Sequence, residues 1–207
     1  METKIVFDIG GVVINFDPKG YLNLHFPEED HAARLYNAIF GSAEWGAFDR
    51  GDISFKIAAE IFVNRGREMG LEKEMRQVTD HAFDMLSTRP TMAAMIEQLH
   101  GMGVPMYYLS NMSPEVKAMM EKERPFWQLF AGGIASSDVG LLKPDPAFYA
   151  LLLQRYALCP QDCLFFDDTP QNVDAAQAMG LDAYHFTEDA VFVRALAKRG
   201  IFVQTGG

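Results

Sequence analysis

The sequence predicts an α/β protein: a doubly wound parallel sheet with a small all-helical domain inserted after the first strand. Three observations carry this. From residue 90 onward, short apolar runs alternate with stretches of helical periodicity, the pattern of a parallel sheet covered by helices on both faces. Between residues 18 and 88 no strand-like run occurs, and apolar residues recur at spacings of three and four, as on one face of a helix. Polar residues fall just after the apolar runs, at Asp8, Ser110, Asp167 and Asp168, which is the sheet edge where such folds bind ligands. Residues 1–17 and 89–207 are therefore expected to form the α/β core, and residues 18–88 the helical insert.

Each element has its own local signal. The apolar run 5–7 drives into Asp8, and Gly10 and Gly11 break it; paired glycines permit a sharp turn and close approach of backbone to a ligand. A second apolar run, 12–14, reads as another strand, with a turn from Asn15 to Pro18. In the insert, Phe55, Ala58, Ala59 and Phe62 mark one helix, capped by Ser54 and ended by Gly70. Met75, Val78, Ala82 and Met85 mark another, and residues 45–52 read as a loop. Beyond Pro90 come a helix over 91–99, closed by Gly101 or Gly103, and a strand over 104–109 ending in Ser110 and Asn111. Ser113-Pro114-Glu115 opens a helix to about residue 122. A strand at 133–136 follows, then a helix from Asp145-Pro146 to 156. A strand over 163–166 ends in Asp167-Asp168. A helix stopped by Gly180, a strand at 183–186 and a helix over 188–198 complete the chain.

Composition narrows the functions. Hydrophobic residues make up 49% of the 207 residues and charged ones 22%, a globular balance. The net charge is −10, from 28 acidic and 18 basic residues. That argues against a nucleic-acid or acidic-membrane surface while leaving small anionic substrates open. The two cysteines, Cys159 and Cys163, lack the C-x-x-C spacing and have no second pair. Cys163 opens an apolar run and reads as core. Few cysteines and no apolar leader segment suggest a cytoplasmic protein, expected to be a monomer or a weak homodimer. The five histidines show no paired metal spacing, and Lys56 reads as part of a solvated helix face.

Asp8, Ser110, Lys143 and the Asp167-Asp168 pair are the chemistry-bearing residues. A carboxylate can act as a covalent nucleophile. Three carboxylates gathered together repel unless a cation sits among them, and hard oxygen donors suit Mg²⁺. A lysine and a serine hydroxyl supply charge and hydrogen bonds to a phosphoryl group. Phosphoryl transfer needs mainly such positioning and charge.

Phe7-Asp8-Ile-Gly-Gly, Leu109-Ser110-Asn111, Gly140-Leu-Leu-Lys143-Pro144-Asp145-Pro146 and Phe165-Phe-Asp167-Asp168-Thr169 together resemble the four ordered motifs of the haloacid dehalogenase superfamily of hydrolases. The helical insert is similar to that family's cap between the first two motifs, so the resemblance spans the whole chain. It implies a Rossmann-like core and Mg²⁺-dependent hydrolysis of a small phosphorylated metabolite, sugar-phosphate-like, through an aspartyl-phosphate. Asp8 would be the nucleophile, Ser110 and Asn111 would bind the phosphoryl group, and Lys143 would hold nucleophile and phosphate together. Asp168, supported by Asp167, would hold Mg²⁺ with Asp8 and the carbonyl of Gly10. One departure stands out. The family's phosphatases usually carry an aspartate two residues after the nucleophile as general acid and base, and here that position is Gly10. A 2-haloacid dehalogenase-like hydrolase and a weakened relative serving as a binding module are the alternatives. Asp17 and Asp49 are candidates for the missing acid, and Asp49, Arg50 and Asp52 for substrate contact.

Overall fold

The computed structural model describes residues 2–28 and 30–205. In chain order the regular elements begin with β1 (Lys4–Phe7) and β2 (Ile14–Phe16), then helices α1 (Pro18–His25), α2 (His31–Ile39), α3 (Ala43–Arg50), α4 (Phe55–Met69) and α5 (Glu72–Asp80). They continue with β3 (Leu86–Thr88), α6 (Pro90–Gly101), β4 (Met106–Ser110), α7 (Pro114–Glu123), β5 (Gly132–Ala135) and α8 (Pro146–Arg155). The last four are β6 (Cys163–Asp167), α9 (Pro170–Ala178), β7 (Asp182–His185) and α10 (Asp189–Lys198).

Five strands form one parallel sheet in the order β5-β4-β1-β6-β7. β1 is central, with β4 on one side and β6 on the other. The chain reverses direction across the sheet there, so the crevice beyond the carboxyl ends of these three strands is the expected ligand site. Strand residues alternate between two apolar layers, as the pleat requires. Ile5, Phe7, Leu164 and Phe166 pack with Met95, Leu99 and Phe192 from α6 and α10. Val6, Leu109, Cys163 and Phe165 pack with Phe148, Leu152 and Val173 from α8 and α9. The doubly wound architecture is thus as the sequence predicts. Cys163 is fully buried in the second layer, and burial pushes its thiol up to about 11.

The helices between β2 and β3 share a separate apolar cluster, with Leu22, Leu35, Phe48, Phe62, Met75 and Val78 among its members. Ser54 caps α4 by accepting from Ile57 N, and Gly70 ends it with φ +72°. Three details differ from expectation. Val12 and Val13 are not strand. Gly11 at φ +77° turns the chain, and the amides of Val13 and Ile14 fold back onto the Ile9 carbonyl. The strand starts at Ile14 and runs through Asn15 and Phe16, pairing antiparallel with β3; β3 lacks an apolar run and so leaves no sequence signal. Residues 45–52 are mostly helix, because Ser42 caps α3 through Trp45 N and Gly51 closes it at φ +79°. The single helix expected through Met75 and Met85 ends at Asp80 and continues as a 3₁₀ turn at Ala82–Met85. Among the described residues no helix is long and apolar enough to cross a membrane.

Candidate active site

The end of β1 places the Asp8 carboxyl in the central crevice, buried. Its Oδ1 accepts from its neighbour Ile9 N at 2.6 Å and from Ser110 Oγ, at the end of β4, at 2.8 Å. Lys143 Nζ lies 2.9 Å from the same oxygen. Oδ2 accepts from no donor among the described residues, so one oxygen is held and the other is free. Burial raises this carboxyl well above the usual carboxylate range. Lys143 pulls it down, and Asp167 and Asp168 push it further up.

Lys143 sits in the loop before α8 with its side chain 1% exposed. Its ammonium bridges Asp8 and Asp167, the latter at 2.6 Å. Burial alone would lower that ammonium, but Asp167 and Asp8 outweigh it and hold it above its ordinary value. Asn111 clasps the Lys143 backbone in both directions, its Nδ2 donating to the carbonyl at 3.1 Å and its Oδ1 accepting from the amide at 2.8 Å. Asn111, a candidate for binding the phosphoryl group, holds the lysine loop through its amide and also borders the adjoining pocket.

Asp167 ends β6 and Asp168 follows it. Asp167 is fully buried and both its oxygens are engaged: Oδ2 by Lys143, Oδ1 by Thr169 N at 2.9 Å and Asn172 Nδ2 at 3.0 Å. Asp168 is exposed toward the crevice. One oxygen from each of Asp8, Asp167 and Asp168 lies within 4.8 Å of the others. The donor set is hard and anionic, and no donor among the described residues reaches the Gly10 carbonyl. This chemistry fits a small divalent cation such as Mg²⁺, with Asp8, Asp168 and Gly10 offering open oxygens and Asp167 standing behind them. Gly11 is fixed by the same cluster. A Cβ there would run into the Asp168 carboxyl, and its φ is +77°. Gly10 has room for a side chain, with Phe16 at 3.8 Å from a Cβ position.

Beside the carboxylates lies a cavity of about 80 Å³ between the sheet edge and the insert. Its walls are mostly apolar, with Ile9 and Phe16 from the first loop and β2, Trp45 and Phe48 from α3 and Phe83 before β3, and its polar side chains are Asp49, Ser110 and Asn111. Phe16 stacks on Trp45 at 6.1 Å between ring centroids. Asp49 also lines this cavity. Burial pushes its carboxyl up to about 7, with Lys143 and Arg50 pulling the other way. Of the other proposed contacts, Arg50 pairs with Asp52 at 2.8 Å outside the cavity. Asp17 is exposed, caps α1 through Gly20 N at 2.8 Å and is not among the residues that line this cavity. Lys56 is exposed on α4.

Sequence reasoning missed Asn172 and Ser136. Asn172 is placed by the first turn of α9, two residues after the proline that starts it, and that spacing could have flagged it. Ser136 is fully buried; it accepts from Met112 N at 2.8 Å and donates to the Asp49 carbonyl, and nothing local announces it.

The model of the haloacid dehalogenase-like hydrolases matches residues 5–180. The chain belongs to that family, and is a hydrolase. It is 28% identical over 185 residues to sesquiterpene phosphatase astK of Aspergillus oryzae, covering 88% of this chain and 89% of astK. It is 25% identical over 194 residues to drimenol cyclase drtB of Aspergillus calidoustus, but spans only 34% of that longer protein. In fold it is similar to the L-2-haloacid dehalogenase of Xanthobacter autotrophicus. The TM-score is 0.63 at 18% identity, covering 99% of this chain and 86% of that one.

Proposed function

We propose that this protein is a Mg²⁺-dependent phosphatase that cleaves small phosphate monoesters of apolar alcohols through an aspartyl-phosphate. The observation that carries this is the Asp8 carboxyl, held on one oxygen by Ser110 and Lys143 and free on the other, at the edge of a three-carboxylate cluster. In this reading the free oxygen attacks phosphorus. Ser110 and Lys143, already within hydrogen-bond distance of the nucleophile, bind the phosphoryl oxygens as they swing toward it. Asn111 keeps the Lys143 backbone in place, and Asn172 keeps Asp167 oriented toward the lysine. Mg²⁺ would be held by Asp168, the Gly10 carbonyl and the other Asp8 oxygen, Oδ1, once Ser110 and Lys143 have turned to the phosphoryl group, and would neutralise phosphate charge. Residues 18–88 act as a cap over the core formed by residues 1–17 and 89–207, excluding water from the reaction.

The alcohol is proposed to be apolar because Phe16, Trp45, Phe48 and Phe83 offer surface to a hydrocarbon and few partners to a polyol. A sugar's hydroxyls would lose water there without replacement hydrogen bonds, which is costly. The name of astK agrees with this choice. The family resemblance read from the sequence implied a sugar-phosphate-like substrate. The dehalogenase likeness extends to the fold. A lysine between two carboxylates, with a third carboxylate beside them, favours phosphate chemistry over dehalogenation.

The test is phosphate release from n-octyl phosphate and from a polyol phosphate such as glycerol 3-phosphate, with Mg²⁺ and with EDTA. Turnover should require Mg²⁺, favour the octyl ester in kcat/KM, and vanish in Asp8→Asn. Undiminished turnover in Asp8→Asn would overturn the nucleophile, and a preference for the polyol ester would overturn the apolar alcohol.

A further inference from the structure

Breaking the ester leaves an alkoxide unless a proton arrives, and Gly10 has no proton to give. We propose that Asp49, carried by α3 of the insert, is the general acid and base of this enzyme. The proposal rests on the hydrolysis put forward above.

Among the described residues, Asp49 is the one ionisable side chain lining the cavity in which the alcohol would sit. It faces that space alongside Gly10, Ser110 and Phe48. Its carboxyl oxygens accept no hydrogen bond from the described residues, so it has no structural task that would consume them. A half-buried carboxyl without partners ordinarily costs stability, and such costs concentrate at functional sites. The backbone beneath it is fixed from the core. Ser136 Oγ donates to the Asp49 carbonyl, and Gly51, which closes α3, is pressed against Pro114 and Ser137. These contacts hold the carboxyl over the crevice although it belongs to the insert. The charged groups acting on it are Lys143 from the core and Arg50 beside it, both opposing the effect of burial. Burial wins and raises the carboxyl to about 7, so a substantial fraction is protonated near neutral pH, as a general acid needs.

The steps balance. Asp8 Oδ2 bonds to phosphorus as the bond from phosphorus to the alcohol oxygen breaks. The electron pair stays on that oxygen, which takes the proton of Asp49 and leaves as the alcohol. A water then attacks phosphorus, giving its proton to the Asp49 carboxylate. The bond to Asp8 breaks, and phosphate, the Asp8 carboxylate and protonated Asp49 result.

The experiment compares n-octyl phosphate, whose alkoxide needs the proton, with 4-nitrophenyl phosphate, whose leaving group does not. Asp49→Asn keeps size and shape and loses only the proton exchange. Turnover of the octyl ester should fall by roughly 10²–10⁴-fold and that of the aryl ester by less than about tenfold. Adding Gly10→Asp to Asp49→Asn, at a position with space for a side chain, should restore part of the octyl activity and leave the aryl rate little changed. A structural lesion at position 49 would not be repaired from position 10. An equal fall for both esters, or an unchanged octyl rate, overturns the role of Asp49. In either case loss of all turnover in Asp8→Asn shows that the hydrolysis itself stands; an Asp8→Asn variant that still turns over would place the failure in the hydrolysis reading instead.

Discussion

Replacing Lys143 by methionine, which matches its length and removes its charge, tests the centre of the site. The ammonium lies 2.6 Å from Asp167 and 2.9 Å from Asp8. The lysine and Asp167 side chains are 1% and 0% exposed, so water cannot take over. Each contact is worth about 4 kcal/mol or more at an effective dielectric near 20. Part of that is offset by the desolvation the methionine no longer suffers, and removing one partner of a buried ion pair typically costs about 3–5 kcal/mol. The Asp8 carboxyl, already raised by burial, would be pushed higher still without the lysine, and the folded state would recover part of the loss by binding a proton there. Sign follows from this: the folded state then binds more protons than the unfolded one above the ordinary carboxylate range, so its stability falls as pH rises. Urea unfolding in EDTA should show a deficit of about 3 kcal/mol at pH 8 and a smaller one at pH 5. Turnover with Mg²⁺ should fall by about 10²–10³-fold, the scale of a lost charge-stabilising group. A stability loss below about 1 kcal/mol together with near-normal turnover would refute the reasoning and reduce Lys143 to a residue that orders its loop.

Two further outcomes follow from geometry. Gly11→Ala should cost about 1–3 kcal/mol through its positive φ, and should raise the Mg²⁺ concentration needed for half-maximal turnover by displacing Asp168. Gly10→Ala, by contrast, should be tolerated, so thermal unfolding and a Mg²⁺ titration of the two variants should diverge. Asp49 lowers stability as pH rises from its ordinary carboxyl range to about 7, because the folded state alone keeps the proton there. Asp49→Asn removes that slope, and being half-buried limits the gain at pH 8 to about 1 kcal/mol, which urea melts at pH 5 and pH 8 would detect.

The sheet, the order of its elements and the five polar residues that meet beyond it, Asp8, Ser110, Lys143, Asp167 and Asp168, are legible in the sequence. These are local facts. An apolar run that stops at Asp8 or Asp167 marks a strand end, while Ser113 before Pro114 and Asp145 before Pro146 mark helix starts. A parallel sheet then brings all its strand ends to one edge without further information. Local signals also misled. Gly46, Asp49 and Gly51 made α3 resemble a loop, until Ser42 at one end and the burial of Phe48 decided for helix. What lies over the carboxylates is set by contacts between distant segments. Asp49 reaches the cavity because the insert packs on its own apolar cluster and Ser136, 87 residues away in sequence, holds its backbone. Asn111 serves the lysine loop because Lys143, 32 residues on, returns to it. Such contacts depend on how separate elements approach one another, and no spacing within either segment encodes that.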